Sequence, residues 1–203
     1  MIIIVDYGMG NLGSVFNMFK KIGAQSKISS DLGEISKAQK LLLPGVGAFD
    51  TAMSKINEKG LLPVLNQKAL HEKIPVLGIC LGMQLLTNSS KEGKLKGLGW
   101  IAASAKKIQS QTDQKLRVPH MGWNIATISN PSPITKDLPV PSKFYFVHSY
   151  SVHVENQNHS MLKTNYGGEF DSGIQNDNIF GVQFHPEKSH KYGMKIFENF
   201  WKL

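Results

Sequence analysis

The chain has 203 residues, of which 41% are hydrophobic and 19% charged, and it has one cysteine. This is the composition of an ordinary globular domain: it excludes disordered, collagen-like and coiled-coil chains, and one cysteine allows neither an intrachain disulfide nor a cysteine-rich metal cage. The net charge of +8 is spread over both halves of the chain without a basic block among aromatic residues, so we expect no nucleic-acid binding.

The first predicted element is a buried strand, Ile2–Val5, which is a run of β-branched residues. No basic leader or small-residue cleavage site accompanies it, so we expect a cytoplasmic protein. Asn11 is expected to cap the helix that follows, and Gly23 to end it. The apolar positions of this helix recur at helical spacing, at Leu12, Val15, Phe16, Phe19 and Ile22.

The same alternation continues along the first half. Lys40–Leu43 and Ile74–Ile79 have the composition of buried strands, and helical patterns cover residues 48–57 and 61–70. The longest nearly uncharged apolar stretch, Pro75–Leu86, falls well short of the roughly 20 residues that span a bilayer, so no membrane segment is expected. Strands that alternate with helices predict a parallel sheet with helices on both faces.

The second half has closely spaced strand patterns separated by turns, which predict antiparallel pairing. The predicted elements are the strands Gly99–Ala103, Trp123–Ile128, Lys143–Val147, Ser151–Val154, Met161–Thr164 and Ile179–Phe184, and a last helix over residues 192–201. We therefore expect one domain over residues 1–203, with an α/β fold: a mostly parallel central sheet followed by an antiparallel, strand-rich half.

Cys80 stands where a predicted strand meets a predicted helix. The segment Gly78–Gly82 has the pattern Gly-x-Cys-x-Gly and follows the apolar run that starts at Val76. This is the layout of a nucleophile elbow, in which small residues permit a sharp turn and the helix N-terminus stabilises a thiolate. The alternative is a buried structural cysteine between two packing glycines.

Two further motifs also lie at strand ends. A cysteine nucleophile needs a base, and His185 is followed by Pro186 and Glu187, whose carboxylate can orient the imidazole. The alternative for this motif is a strand-end turn with a surface acid. Pro44–Gly47 is a glycine-rich turn whose N–H groups, with the amide of Leu81, are suited to hold an oxyanion. Three motifs that meet at one sheet edge predict one site.

Together these motifs resemble those of the class I (triad) glutamine amidotransferases, a family with a flavodoxin-like three-layer fold. The matching segments are 44–49, 78–84 and 184–189. Within that family, the segments 6–15, 118–124 and 144–150 are similar to those of glutaminase subunits of imidazole glycerol phosphate synthases. The resemblance runs from residue 2 to about residue 200.

The resemblance implies a role for each motif. Cys80 would attack the side-chain amide of glutamine, His185 would transfer protons, and Glu187 would orient His185. Val46 and Leu81 would form the oxyanion hole. The residues implied for glutamine binding are Gly47, Gln84, Glu92, Ser149 and Tyr150. No cofactor and no metal is implied.

The resemblance also implies a partner. Ammonia would pass to a (β/α)8 barrel cyclase, in a heterodimer that makes imidazole glycerol phosphate and AICAR in histidine biosynthesis. The positions that match the interface are Met9, Asn11, His120, Met121, Trp123, Tyr145 and Lys188. Several of them are apolar or aromatic, as the core of an interface requires. For Trp123 and Tyr145 the alternative is ordinary core packing.

A dinucleotide site is one competing function. Gly8–Gly13 fits the pattern G-x-G-x-x-G after a strand, and Asp31 lies farther along the chain. Asp6 at the end of the strand would place a carboxylate near the pyrophosphate, and the antiparallel second half leaves little room for a complete dinucleotide fold. Both observations argue against NAD binding.

A closer alternative keeps the glutaminase and changes the enzyme that receives ammonia. It is a paralogous glutaminase that supplies an amidotransferase for surface-polysaccharide sugars. Two departures from the family pattern motivate it, the segment 170–174 and His190. A catalytically silent interaction protein is a further alternative, against which the intact triad of Cys80, His185 and Glu187 argues.

Overall fold

The computed structural model describes residues 1–109 and 116–203. The helices and strands of these residues are, in chain order, β1 (Ile2–Val5), α1 (Leu12–Lys21), β2 (Ser26–Ser29), α2 (Leu32–Ser36), β3 (Lys40–Leu43), α3 (Phe49–Glu58), α4 (Leu61–Asn66), β4 (Val76–Ile79), α5 (Leu81–Leu85), β5 (Ser89–Ser90), β6 (Ala103–Lys107), β7 (His120–Ile128), β8 (Ser142–His148), β9 (Tyr150–Val154), β10 (Ser160–Asn165), β11 (Glu169–Asn176), β12 (Ile179–Val182) and α6 (His190–Lys202). None of these helices combines the length and the apolarity that a membrane crossing requires.

Five strands form the parallel part of the sheet, in the order β2-β1-β3-β4-β12. Each of them runs in the same direction as its neighbours, so β1, β3, β4 and β12 end at the same edge. Ligands of open α/β sheets bind outside this carboxyl edge. The three strand-end motifs of the sequence follow β3, β4 and β12, and the fold therefore brings them to one place.

The antiparallel part continues from β12. Strand β11 pairs with β12, and the order then runs through β10 and β7 to β8. Strand β9 pairs with β11 and β6, and β5 pairs with β6. The expected change from parallel to antiparallel pairing in the second half is confirmed.

The core lies on both faces of the sheet because successive side chains of a buried strand point to opposite sides. Ile3 and Val5 of β1 pack with α2–α5 on one face. Ile2 and Ile4 pack with α1, α6 and the aromatic residues of β8 on the other. The result is three layers, helices on either side of a central sheet.

Most of the predicted elements are present. β1 and β3 have the predicted bounds, and α1 begins after Asn11, whose Oδ1 accepts a hydrogen bond from the backbone N of Ser14 at 3.3 Å. The helical pattern over residues 61–70 divides into α4 and a π-helical turn, Gln67–His71. The short elements β2, α2 and β5 and the strand β11 were not predicted.

The predicted strand Gly99–Ala103 is wrong except at its last residue, where β6 begins. Trp100 and Ile101 are buried, but their backbone N–H groups both donate to the carbonyl of Leu86, at 2.9 and 3.1 Å. The indole N–H of Trp100 donates to Asn66 Oδ1 at 2.8 Å. This segment is therefore an anchored bend whose apolar residues fill the core without joining a strand.

Candidate active site

The turn between β4 and α5 holds Cys80 in an unusual conformation, with φ 54° and ψ −109°. Such backbone angles are sparsely populated for a residue with a side chain, and they cluster at functional sites. Glycines on both sides make the turn possible. A Cβ at Gly82 would lie 1.8 Å from the carbonyl oxygen of Leu43, and one at Gly78 would lie 2.7 Å from the backbone of Gly82. The elbow that the sequence predicts is present.

The segment after β12 presents His185. Its backbone N donates to the carbonyl of Tyr145 at 2.9 Å, and its own carbonyl accepts from Ser189 Oγ at 2.6 Å. Residues Pro186–Lys188 form a 3-10 turn that carries Glu187 back toward the ring. Glu187 Oε1 lies 2.8 Å from His185 Nδ1. Because Glu187 holds Nδ1, the other ring nitrogen, Nε2, is the one free to exchange protons.

The electrostatics of His185 favour the protonated ring. Burial lowers its pKa, but the Cys80 thiol and the Glu187 carboxylate outweigh burial and raise the pKa of His185 to about 10. Nε2 is buried and has no hydrogen-bond partner among the described residues. A cation beside a cysteine favours the thiolate, which is the nucleophilic form of the side chain.

A cavity of about 320 Å³ opens beside Cys80. We call it the Cys80 cavity, and its lining residues are Val46, Gly47, Cys80, Leu81, Gln84, Glu92, Pro119, Val147, His148, Ser149 and Tyr150. All the residues that the sequence implies for the oxyanion hole and for glutamine binding are in this set. A cavity of this size accommodates a free amino acid.

The turn Pro44–Gly47 forms one wall of the cavity. Gly47 has φ +116°, a conformation that suits glycine. A Cβ at Gly47 would lie 2.5 Å from the terminal methyl group of Met9, so the segment that follows β1 packs directly on this turn. The side chain of Val46 is 44% exposed. Val46 of this turn and Leu81 at the start of α5 thus both line the cavity.

One residue that sequence reasoning missed contacts the sulfur. Gln183, which directly follows β12, is fully buried, and its Nε2 lies 3.7 Å from Cys80 Sγ. Its Oε1 accepts a hydrogen bond from Gln84 Nε2 at 3.2 Å, and Gln84 Nε2 also donates to the carbonyl of Tyr150 at 3.1 Å. The signal was a glutamine within an otherwise apolar strand end, two residues before His185.

His120 and His148 form a second network behind the cavity. Their rings lie opposite each other on β7 and β8, with His120 Nδ1 2.9 Å from His148 Nε2. His148 Nδ1 lies 2.8 Å from the carbonyl oxygen of Tyr150, so Nδ1 is the protonated nitrogen of that ring. Burial lowers the pKa of His148 to about 3 and that of His120 to about 4, so both rings are neutral at neutral pH.

The burial of His120 argues against its predicted place at the partner interface. Its side chain is only 2% exposed and is stacked between Tyr166 and Phe146, with ring centroids 3.9 and 4.7 Å away. A side chain enclosed in this way offers almost no surface to another protein. The strand alternation places His120 on the inner face of β7 and its neighbours on the outer face.

The outer face of the β7–β8 hairpin is apolar and open to solvent. Met121 is 62% exposed and Trp123 47%. Trp123 lies opposite Tyr145 on β8, and His190 stacks on the indole with ring centroids 5.4 Å apart. Lys188 Nζ lies 5.7 Å from the centre of the Tyr145 ring. Core packing is therefore excluded for Trp123, whereas Tyr145 is half-buried.

The segment Gly8–Gly13 belongs to the same edge of the sheet. Gly8 N donates to Asp6 Oδ1 at 2.8 Å, and a Cβ at Gly10 would lie 3.3 Å from the side chain of Pro44. Asn11 is exposed at the start of α1. These glycines serve a turn that packs on Pro44–Gly47. Within residues 1–109 and 116–203, no group of three or more His, Cys, Asp or Glu side chains is arranged to hold a metal ion.

Comparison with known proteins agrees with this geometry. The family model described as glutamine amidotransferase class-I matches residues 3–203. The chain is 54% identical to imidazole glycerol phosphate synthase subunit HisH 2 of Methanococcus maripaludis, over 100% of this chain and 99% of that protein. It is 45% identical to subunit HisH 2 of Pseudomonas aeruginosa and 43% identical to subunit HisH of Bdellovibrio bacteriovorus, each over the full length of both chains.

Solved structures give the same fold. A crystal structure of a glutamine amidotransferase superposes with a TM-score of 0.76 at 15% identity, over 100% of this chain and 98% of that one. The structure of PurLQS from Thermotoga maritima gives a TM-score of 0.72 at 18% identity, over 99% and 97%. The sheet topology, the three layers and the full-length match lead to one conclusion: the chain belongs to the class I glutamine amidotransferases and has their three-layer α/β fold.

Proposed function

We propose that this chain, as one glutamine amidotransferase domain over residues 1–203, is the glutaminase subunit of an imidazole glycerol phosphate synthase. The observation that carries the proposal is the position of Cys80, which lines the cavity and interacts with His185, whose Nδ1 lies 2.8 Å from Glu187 Oε1. Relatives at 43–54% identity over the whole chain bear the name of that synthase subunit. The substrate is free glutamine.

The first half of the reaction forms a thioester. With the proton of the thiol on His185 Nε2, the Cys80 sulfur attacks the side-chain carbonyl carbon of glutamine, and a C–S bond forms. The carbonyl oxygen becomes an oxyanion, which the amides of Val46 and Leu81 stabilise. When the C–N bond breaks, His185 gives its proton to the departing nitrogen, and ammonia leaves.

The second half releases glutamate. His185, now neutral, takes a proton from water while the water oxygen attacks the thioester carbon. The C–S bond breaks, glutamate leaves, and the sulfur is again paired with the protonated His185. Glutamine and water are consumed, and glutamate and ammonia are formed. Glu187 keeps Nε2 directed at the sulfur through both halves.

The substrate would be held by its free amino-acid end. Glu92 supplies a carboxylate for the ammonium group, and a charged acceptor of this kind discriminates free glutamine from glutamine within a polypeptide. Gln84 and the backbone of Ser149 and Tyr150 line the same cavity and contact the other polar groups of the substrate. Gly47, which has no side chain, leaves space in the cavity beside these residues.

The ammonia would pass to a (β/α)8 cyclase partner that docks on the outer face of the β7–β8 hairpin. The support for this surface is the exposure of Met121 and Trp123, since exposed apolar patches mark protein interfaces. Tyr145 and Lys188 extend the surface toward the His185 turn, and Met9 and Asn11 border the Pro44–Gly47 turn. The protein partner and the catalytic cavity therefore share the carboxyl edge of the sheet.

The test is to combine the purified chain with candidate ammonia-accepting enzymes from its own organism. With the cyclase and its ribonucleotide substrate, glutamate release is expected to rise together with formation of imidazole glycerol phosphate. The alternative, in which the acceptor modifies surface-polysaccharide sugars, has no support from the names of these relatives. Stimulation by such a sugar amidotransferase and not by the cyclase would replace the proposal with that alternative.

A further inference from the structure

Gln183 occupies a position that the triad does not explain. The backbone N of Cys80 donates to the carbonyl of Val182 at 2.8 Å, which continues the parallel pairing of β4 with β12. This register sets the residue after Val182 beside the elbow. Gln183 is fully buried, in the same part of the core as the apolar strand ends around it. A buried primary amide is costly unless its polar atoms have partners.

The partners of Gln183 are two residues of the Cys80 cavity. Its Nε2 lies 3.7 Å from Cys80 Sγ, and its Oε1 accepts a hydrogen bond from Gln84 Nε2 at 3.2 Å. Gln84 uses its other N–H on the carbonyl of Tyr150, at 3.1 Å. Both N–H groups of the Gln84 amide are thus engaged, and its carbonyl oxygen is left to accept from a molecule in the cavity.

We propose that Gln183 is a hydrogen-bond donor to the Cys80 sulfur and at the same time fixes the Gln84 amide with its oxygen toward the substrate. This inference rests on the proposed role of Cys80 as the nucleophile. Gln183 contacts the reacting sulfur directly, whereas its effect on substrate binding passes through Gln84.

The reaction explains why a donor to the Cys80 sulfur other than His185 is useful. His185 must give up its proton to the leaving ammonia and recover one from water, so it cannot stabilise the sulfur as a proton donor throughout a turnover. An amide does not titrate, so the N–H of Gln183 is present at every stage. Hydrogen bonds to charged groups are stronger than those between neutral groups, and the Gln183 contact therefore stabilises the thiolate more than the thiol.

The experiment uses the fact that Cys80 is the only thiol of the chain. The rate of alkylation of the isolated chain by iodoacetamide is measured from pH 5 to pH 9, which reports the thiolate fraction without need of glutamine or a partner. Gln183→Leu removes the donor. We expect the midpoint of the alkylation profile to move up by about one pH unit, which lowers the rate about tenfold at any pH below both midpoints.

Two further variants are measured beside Gln183→Leu. Gln183→Glu keeps the size of the side chain but places a negative charge where a donor stood, so its midpoint is expected to move in the same direction and farther. Gln175→Leu is the matched control, because the side-chain amide of Gln175 on β11 donates to the nearby carbonyl of Asp177 and Gln175 does not line the Cys80 cavity. Its profile is expected to match the wild type. If Gln183→Leu does not fold, as judged by circular dichroism, Gln183→Glu decides the question.

An unchanged alkylation profile in the folded Gln183 variants would overturn the proposal. So would an equal shift in Gln175→Leu, since that would be a general effect of the substitution. A second readout follows from Gln84: in the active complex, Gln183→Leu is expected to raise the KM for glutamine and lower kcat, each about tenfold. If the wild-type complex releases no glutamate, the proposed function fails, while the alkylation result still decides the role of Gln183.

Discussion

Glu92 Oε2 accepts a hydrogen bond from the backbone N of Phe49 at 3.0 Å, although the two residues are 43 positions apart. Phe49 is the first residue of α3, and the N-cap of that helix, Ala48, provides no side-chain acceptor. The same helix holds the Glu92 segment in return, because Asp50 accepts hydrogen bonds from the backbone N atoms of Lys94 and Leu95, both at 3.0 Å. The segment that carries Glu92 is thereby fixed at the rim of the cavity.

This geometry permits a test of the Glu92 charge alone. Glu92→Gln keeps an oxygen that can accept from Phe49, so the fold is expected to be unchanged, with a fall in Tm of about 1–4 °C from the loss of a negative charge at the helix N-terminus. If the carboxylate binds the ammonium group of glutamine, the KM for glutamine should rise at least tenfold, since a hydrogen bond to a charged group contributes about 1.5–3 kcal/mol. Steady-state glutaminase kinetics of the complex measure this. An unchanged KM would assign Glu92 to helix capping only.

Replacement of Cys80 separates the two activities of the complex. Cys80→Ala and Cys80→Ser are expected to abolish glutamine-dependent synthesis, because no other thiol is present to form the thioester. Synthesis from ammonium salts should survive, since that reaction takes place in the partner. The two activities are measured side by side at saturating substrate. Their equal loss would indicate that Cys80 has a structural role at the elbow.

The Pro44–Gly47 turn leads to a prediction about regulation. We expect the isolated chain to release glutamate slowly and the partner with its ligand to raise kcat, because hydrolysis without an acceptor wastes ammonia. Reorientation of the Val46 peptide is the expected cause, and the loss of a single oxyanion donor costs about 10²–10³ in rate. Glutamate release is measured for the chain alone, with the partner, and with the partner and its ligand. Full turnover by the chain alone would contradict this prediction.

The β7–β8 hairpin gives a prediction about binding. Trp123→Ala is expected to weaken docking of the cyclase by about 2 kcal/mol or more, as for an aromatic residue at the centre of an interface. Lys188→Ala, which removes a charge at the border, should mainly slow association and reduce its dependence on salt. The partner is titrated into the wild type and both variants at low and moderate salt. If Trp123→Ala binds as tightly as the wild type, the interface lies elsewhere.

The buried histidine pair predicts how stability depends on pH. In the unfolded chain both rings accept a proton near pH 6.5, whereas in the folded chain burial lowers the pKa of His120 to about 4 and that of His148 to about 3. The stabilisation is therefore complete above about pH 6.5, declines progressively below that value, and is fully lost once the pH has fallen through 4 and 3. The pKa of His185 is shifted upward and adds nothing to this acid loss, because its contribution is lost only at higher pH.

Urea unfolding at pH 7 and pH 5 measures the effect of the pair, since most carboxylates remain ionised over this interval. The wild type should lose stability between the two values, and His120→Gln should lose less. His71→Gln, at an exposed histidine, is the control and should behave as the wild type. The same loss in His120→Gln as in the wild type would show that the pair does not determine the acid sensitivity.

Sequence patterns predicted the strands that consist mainly of buried aliphatic residues. β1 is aliphatic throughout and β3 is aliphatic after Lys40, and both strands were predicted with their bounds. β2 is a short strand at the edge of the sheet with three polar residues out of four, so its sequence carries little signal of a strand. β11 lies inside the sheet but buries Asp171 and Ser172, whose acceptors and donors meet only in the folded chain. Buried polar residues break the apolar pattern from which a buried strand is predicted.

The candidate site likewise contains residues that the sequence predicted and residues that it did not. Motifs at strand ends predicted Cys80, His185 and Glu187, because parallel strands bring their carboxyl ends together whatever the loops do. Gln183 and the inward position of His120 were missed. Their roles depend on which neighbouring strand supplies a partner, and that register is set by tertiary pairing between β4 and β12 and between β7 and β8. Sequence spacing along one strand does not contain this information.

Val147 and His148 of β8 line the Cys80 cavity, and by our proposal the cyclase docks on the outer face of the same β7–β8 hairpin. Where this hairpin couples the two binding events, thermodynamic reciprocity requires the effect to be equal in both directions. If docking tightens the hold on glutamine, glutamine must tighten docking by the same factor. A cell short of glutamine would then hold the two proteins together less firmly, so that assembly of the synthase would itself report the nitrogen supply.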